Sequence, residues 1–159
     1  MPSLKLIGTV VCEWFTSERS PRVTEPDLVM DDREKVAAYV EAGRENGVMA
    51  PVYLYHAANI CEVIRPGDTV VDLACGPANQ LAMVARLNPD VNFIGVDLSA
   101  PMLERARDLI ERQGLRNVTL MPGNISTLSQ FSDASIDAVM STMALHHLPD
   151  QDTLARTYS

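Results

Sequence analysis

Aromatic side chains make up only 5% of the 159 residues, and the three cysteines, Cys12, Cys61 and Cys75, show no CxxC spacing. An odd, scattered set argues against a disulfide framework and against a structural zinc site; no metal is expected, and the thiols read as reduced, small, buried residues. Lysine is scarcer still. Lys5 and Lys35 are the only two, and the arginines are scattered through a chain of formal net charge −8. Without a basic cluster to neutralise phosphates, nucleic acid is not expected as a partner. Long apolar runs are also missing: none approaches the ~20 residues of a membrane-spanning helix. The opening "LKLIGTVVCEWF" is broken by Glu13 and shows no A-x-A-like cleavage site, so no membrane contact and a cytoplasmic location are expected.

What is present suffices for one ordinary domain: 47% hydrophobic residues can bury a core, and 21% charged residues are normal for a globular surface. Residues 1–30 read as a strand-like "LIGTVVCEWF" followed by a turn-rich "SERSPRVTEPD". "DDREKVAAYVEAGRENG" is helical, with Val36, Tyr39 and Val40 on one face and Gly47 as its stop. Pro51 starts a second helix that "RPGD" at 65–68 ends. Residues 1–64 thus form an N-terminal helical extension or cap, and 65–159 a second segment.

In that second segment strands and helices alternate. "TVVDLA" (69–74) is a short continuous apolar run, as in a strand buried on both faces of a parallel sheet. Helix 79–87, strand 92–98, helix 100–114, strand 117–123 and a fourth strand within 135–145 follow. In helix 100–114 the apolar stripe is Met102, Leu103, Ala106, Leu109 and Ile110, and Gly114 closes it. The alternation predicts an α/β, Rossmann-like, doubly wound and mostly parallel sheet.

Ligands of such sheets bind beyond the carboxyl ends of the strands. The first strand ends in "VVDLACGPANQ", where Ala74, Gly76 and Ala78 leave bare backbone beside the Asp72 carboxylate. The second ends in "GVDLS". Asp97, 25 positions after Asp72, suits a carboxylate that accepts hydrogen bonds from two ribose hydroxyls, although it also precedes a helix start at Ser99. The third ends in "PGNIS", where Asn124 offers an amide to an adenine edge and Ile125 an apolar face. The fourth ends in "STMALHHLPD", with His146 and His147 as bases, metal ligands or helix-cap residues, the metal reading lacking the three or four convergent ligands it needs.

"VVDLACGP", "FIGVDLSAPMLERAR", "PGNI" and "SIDAVMSTMALHHLPD" together resemble, in order and spacing, the class I S-adenosylmethionine-dependent methyltransferases, most closely the small-molecule branch. The likeness covers residues 66–158. It implies S-adenosyl-L-methionine as cofactor and a small-molecule methyl acceptor. Asp72, Ala74 and Gly76 would hold the methionine part, Asp97 the ribose, Leu98 and Met102 the adenine faces, and Asn124 and Ile125 its edge and face. Thr142 would lie near the methionine part or sulfonium, and His146 or His147 would serve as catalytic base. His56, Tyr53, Tyr55 and Trp14 are expected either in a substrate pocket or in the core.

Two departures stand out. Ala74 and Ala78 replace the outer glycines of Gly-x-Gly-x-Gly, which is acceptable if neither needs positive φ. Asn124 replaces an aspartate, keeping the acceptor and losing the charge.

The resembled fold has seven strands in the order 3-2-1-4-5-7-6, and this chain supplies about four, ending in what reads as a helix cut short. A truncated chain is therefore expected, with an incomplete sheet. Its fourth strand becomes an open apolar edge that invites a homodimer through residues 136–142. Two rival readings are a nicotinamide oxidoreductase, against which "ACGPAN" lacks GxGxxG, and a non-catalytic cofactor- or partner-binding fragment.

Overall fold

A computed structural model describes residues 29–157 of the chain. The strand-like start, the loop after it, Cys12, Trp14 and Tyr158 lie outside the described residues. Helix α1 (Arg33–Ala42) begins at Asp32, whose carboxylate accepts from the Glu34 and Lys35 amides at 3.0 and 2.9 Å. It ends four residues before the expected stop: Gly43 caps it, and Gly47 instead sits in a turn that returns the Met49 amide to the Ala42 carbonyl at 3.1 Å. Helix α2 (Ala50–Val63) starts with Pro51 in its first turn, where the missing N–H costs nothing.

Strands β1 (Thr69–Leu73), β2 (Asn92–Asp97), β3 (Val118–Pro122) and β4 (Ala138–Met140) form one parallel sheet in the order β3-β2-β1-β4. This matches the first four positions of the expected order. Helices α3 (Asn79–Leu87) and α4 (Ala100–Gln113) make the crossovers, and α5 (Gln151–Thr157) closes the described chain after a 3₁₀ turn at Leu145–His147. Val70 and Phe93 face α2, α3 and α4 through Ala57, Leu81, Val84, Ala106 and Ile110. Gly95 allows this close approach, since a Cβ there would come within 2.7 Å of Leu81. On the opposite face Val71, Leu73 and Val96 are covered by Ile125, Leu128, Phe131 and Ile136, all from the irregular β3–β4 connection. Among the described residues that face carries no helix packed against it in this cluster.

Cys61 and Cys75 are free and only half-buried. Asn88 donates its side-chain amide to the Cys61 sulfur at 3.1 Å, so this thiol is a polar contact as well as packing. Among the described residues no helix is long and apolar enough to cross a membrane.

Candidate functional site

The register aligns Leu73 with Val96 and Asp97 with Pro122, so β1, β2 and β3 release their chains at one edge of the sheet. There the Gly76 amide donates to Asp97 Oδ2 at 2.7 Å, and the Ser99 amide donates to Oδ1 at 2.8 Å. Ser99 is itself the N-cap of α4. The two readings of Asp97 therefore coexist: it ties the bend to the helix start, and the carboxylate keeps acceptor capacity for a further donor. Burial raises its pKa, while hydrogen bonds from the Ser99, Gly76 and Leu98 backbone oppose that rise.

The bend explains why small residues are needed. Ala74, Gly76 and Ala78 all adopt left-handed backbone, with φ of 59°, 54° and 61°. The condition under which alanine would replace glycine freely is thus not met. An L-residue in this region costs roughly 1–2 kcal/mol. Ala78 is fully buried and its methyl packs in the core, but Ala74 is only half-buried. Ala74→Gly is therefore expected to stabilise the chain by about 1 kcal/mol, raising the melting temperature by ~2–4 °C. Ala78→Gly gains less, because it vacates a buried methyl site. A thermal melt in which Ala74→Gly is neutral or lower would remove the strain.

Above the bend lies a cleft of about 800 Å³, within the size range of small-molecule sites. Ala74, Gly76, Asp97, Leu98, Met102, Asn124, Ile125 and His147 line it, so eight of the expected site residues converge. Leu98 is half exposed into it, whereas Met102 is buried. Asn124 spends its side-chain oxygen on a turn, accepting from the Ser126 amide at 2.9 Å and hydroxyl at 2.7 Å. What it offers a ligand is the NH₂ group, not the acceptor that the comparison with aspartate suggested.

Three expected residues lie elsewhere. His146 is stacked near His147, ring centroids 4.0 Å apart, but it does not line the cleft. Asp72 and Thr142 line a small adjoining cleft with Tyr39, Tyr53, Ala74, Cys75, Asn79 and Gln80. The two clefts share Tyr39 and Ala74. Asp72 is 4% exposed, and its pKa is held well above the ordinary carboxylate value, first by burial and then by the nearby Asp97 charge. The Cys75 thiol is also pushed up, first by burial and then by the Asp72 charge.

Sequence reasoning missed Tyr39. It counted there as one apolar residue of a helix face. In the fold it reaches over the bend, its ring 3.7 Å from where a Gly76 Cβ would stand, and it hydrogen-bonds Tyr53 of α2. Burial raises both phenol pKa values. The available signal was that two of the chain's few aromatics, Tyr39 and Tyr53, sit on successive helices directly before the small-residue bend. The Ser99 hydroxyl adds a second tie, donating to the Met30 carbonyl at 2.8 Å.

The donor set fits an adenosyl sulfonium compound: a buried carboxylate with free lone pairs, bare backbone beside it, and apolar walls. Gln80, 5% exposed, has both amide atoms buried with no hydrogen-bond partner, which leaves polar capacity at the same end.

The family model described as "Methyltransferase domain" matches residues 70–158. The trans-aconitate 2-methyltransferase of Deinococcus radiodurans is 39% identical over 90 residues, which is 57% of this chain and 32% of that protein. The demethylmenaquinone methyltransferase of Geobacillus kaustophilus is 31% identical over 94 residues, 58% of this chain and 40% of that protein. The chain therefore spans only about a third of the length of these curated relatives. A solved structure from Methanococcus maripaludis, assigned as an S-adenosyl-L-methionine-dependent methyltransferase, superposes with a TM-score of 0.67 at 22% identity, covering 90% of this chain and 61% of that one. The chain belongs to the methyltransferase-domain family, and its fold is that of the class I, S-adenosyl-L-methionine-dependent enzymes.

Proposed function

We propose that this chain carries the cofactor-binding half of an enzyme that transfers a methyl group from S-adenosyl-L-methionine to a small-molecule acceptor by in-line displacement. The observation that carries the reading is the 2.7 Å bond from the Gly76 amide to Asp97, which puts the sugar-binding acid and the bare bend in one cleft. The names of the relatives, which refer to trans-aconitate and demethylmenaquinone, support a small acceptor. When bound, the cofactor supplies a methyl group on a sulfonium, with a thioether as a good leaving group.

The chain's own residues then have alignment as their main task, and orientation alone can supply a large part of such an acceleration. Asp97 takes the ribose hydroxyls, Leu98 and Met102 flank the adenine, and Asn124 and Ile125 meet its edge and face. Asp72, Ala74 and Gly76 hold the amino-acid end, with Thr142 next to it. His147, which lines the cleft, is the member of the histidine pair that can contact an acceptor; His146 supports the turn. Calorimetric titration tests this assignment: S-adenosylhomocysteine is expected to bind and NAD is not. The reverse result would favour an oxidoreductase.

A second reading, a binding fragment that self-associates, has its own observation. β4 is the edge of the described sheet, and Val139 on it is 61% exposed. Sedimentation of this chain is expected to show a dimer that Val139→Lys dissociates. A monodisperse monomer would rule it out.

A further inference from the structure

We propose that the acceptor is an organic acid whose carboxylate is held by Arg156 of α5, with Lys35 of α1 as a second cation in the same cleft. The inference rests on the adenosyl reading above.

The two clefts differ in what they can admit. Thr142, whose hydroxyl lies 3.0 Å from His56 Nδ1 of α2, lines the small one, and its volume of about 20 Å³ holds one water. An acceptor therefore has to share the cleft of about 800 Å³, a volume near the upper end of the range for one small-molecule site. That lining includes Lys35, Thr153 and Arg156, to which the adenosyl reading gives no task. The sheet order places them. β4 lies beside β1 and away from β3, so the wall that follows β4 borders the bend and not the adenine residues. On α1, Lys35 stands one helical turn before Tyr39, which overhangs that bend. Both cations thus flank the end of the cofactor from which the methyl leaves.

Thr153 sets the arginine in place. It is polar yet only 5% exposed, and its hydroxyl accepts from Arg156 Nη2 at 3.0 Å. Its amide donates to Asp150 Oδ1 at 2.6 Å, which fixes the first turn of α5. A guanidinium carries five N–H donors in a planar fork, and the bond to Thr153 uses one. The acids of the lining have other partners. Asp32 accepts from the Glu34 and Lys35 amides, and Asp97 from those of Gly76 and Ser99. Asp97, raised first by burial, also feels the Asp31 charge, so Asp31 belongs to the ribose side. Asp150 and Arg156 attract each other, but Asp150 is exposed and water screens the pair. In a chain of net charge −8 with two lysines, a lysine and an arginine at this end select an anion. A neutral acceptor would make no use of them. The carboxylate is a handle: pairing with a guanidinium makes an oxygen a weaker nucleophile, so the methyl goes to another atom of the acceptor.

The test is calorimetry on the full chain saturated with S-adenosylhomocysteine, at fixed ionic strength. Succinate is the probe, and succinamide is its uncharged counterpart of similar shape. Succinate is expected to bind and succinamide is not. Arg156→Gln should weaken succinate ~10-fold, the effect of one charge-assisted hydrogen bond, and Lys35→Gln ~3-fold. Arg156→Lys should fall between the native chain and Arg156→Gln, because it keeps the charge and loses the fork. Arg44→Gln, which removes an exposed cation outside the cleft, should stay within about 2-fold. S-adenosylhomocysteine itself should bind Arg156→Gln within about 2-fold of the native chain. A loss there that methylthioadenosine does not share would assign Arg156 to the cofactor's own carboxylate and overturn the inference. Equal succinate binding by the native and Arg156→Gln chains would overturn it too, as would inorganic phosphate binding more tightly than succinate. Failure of S-adenosylhomocysteine to bind would overturn the adenosyl reading together with this inference. Binding of S-adenosylhomocysteine without binding of succinate would overturn the inference alone.

Discussion

Replacing Asp97 with alanine is expected to lower the affinity for S-adenosylhomocysteine by ~10²–10⁴-fold. Hydrogen bonds to a charged group contribute about 1.5–3 kcal/mol each, and two ribose hydroxyls are lost together. The variant also strips the Gly76 and Ser99 amides of their acceptor, at 2.7 and 2.8 Å in the native chain. Unsatisfied donors there cost ~1–3 kcal/mol each, so part of any lost binding would come from a loosened bend. Asp97→Asn separates the two. It keeps the shape and one acceptor oxygen, so one of the two amides stays paired and the melting loss should be smaller than in the alanine variant, while binding still weakens ~10–100-fold. Calorimetry paired with thermal melts reads both numbers. Native affinity in Asp97→Ala, with an intact melt, would mean that the ribose sits elsewhere.

Much of this site was legible because it lies at strand ends, where the change from apolar run to turn residues is abrupt. Helix α3 has the expected bounds, 79–87, because "NQLAMVARL" is amphipathic and Asn88 with Pro89 ends it. Helix α1 was less legible. Gly43 and Gly47 are equivalent stop signals locally, and the choice fell to tertiary packing: a Cβ at Gly43 would press into the Asn79 side chain of α3. The alanines of the bend show a similar limit, since nothing in "ACGPA" reports φ; only the path from β1 to α3 forces three left-handed residues into five positions. Tyr39 was hidden for another reason, which also left Tyr53 and His56 open between a pocket and the core. They belong to helices before the sheet, and their periodicity describes packing. That they lean over the tips of β1 and β4 is a long-range fact, set by how α1 and α2 dock.

The pH dependence of stability should change most in Asp72→Asn. Asp72 lies one residue before the end of a central strand and is buried, with its pKa raised well above 3.8 by desolvation and then by Asp97. In the unfolded chain it ionises near 3.8, whereas the folded chain holds the proton to higher pH. Between those two values the folded state binds more protons than the unfolded one, so stability falls as pH rises. The favourable contribution is complete below the unfolded value and is lost on passing through the folded one. Asp97 is raised as well, so it adds to the same slope. An amide at position 72 keeps the shape and never ionises. The variant is therefore expected to melt at least ~2 °C higher at pH 8, the shift that ~0.5–1 kcal/mol gives in a chain of this size, and no higher at pH 4. Binding should move the opposite way. A carboxylate whose burial is unfavourable gains from a positively charged neighbour, so Asp72→Asn should weaken S-adenosylmethionine more than S-adenosylhomocysteine. Equal weakening of both ligands would place the sulfonium away from Asp72, and equal melting at pH 4 and pH 8 relative to the native chain would mean that its buried charge carries no penalty.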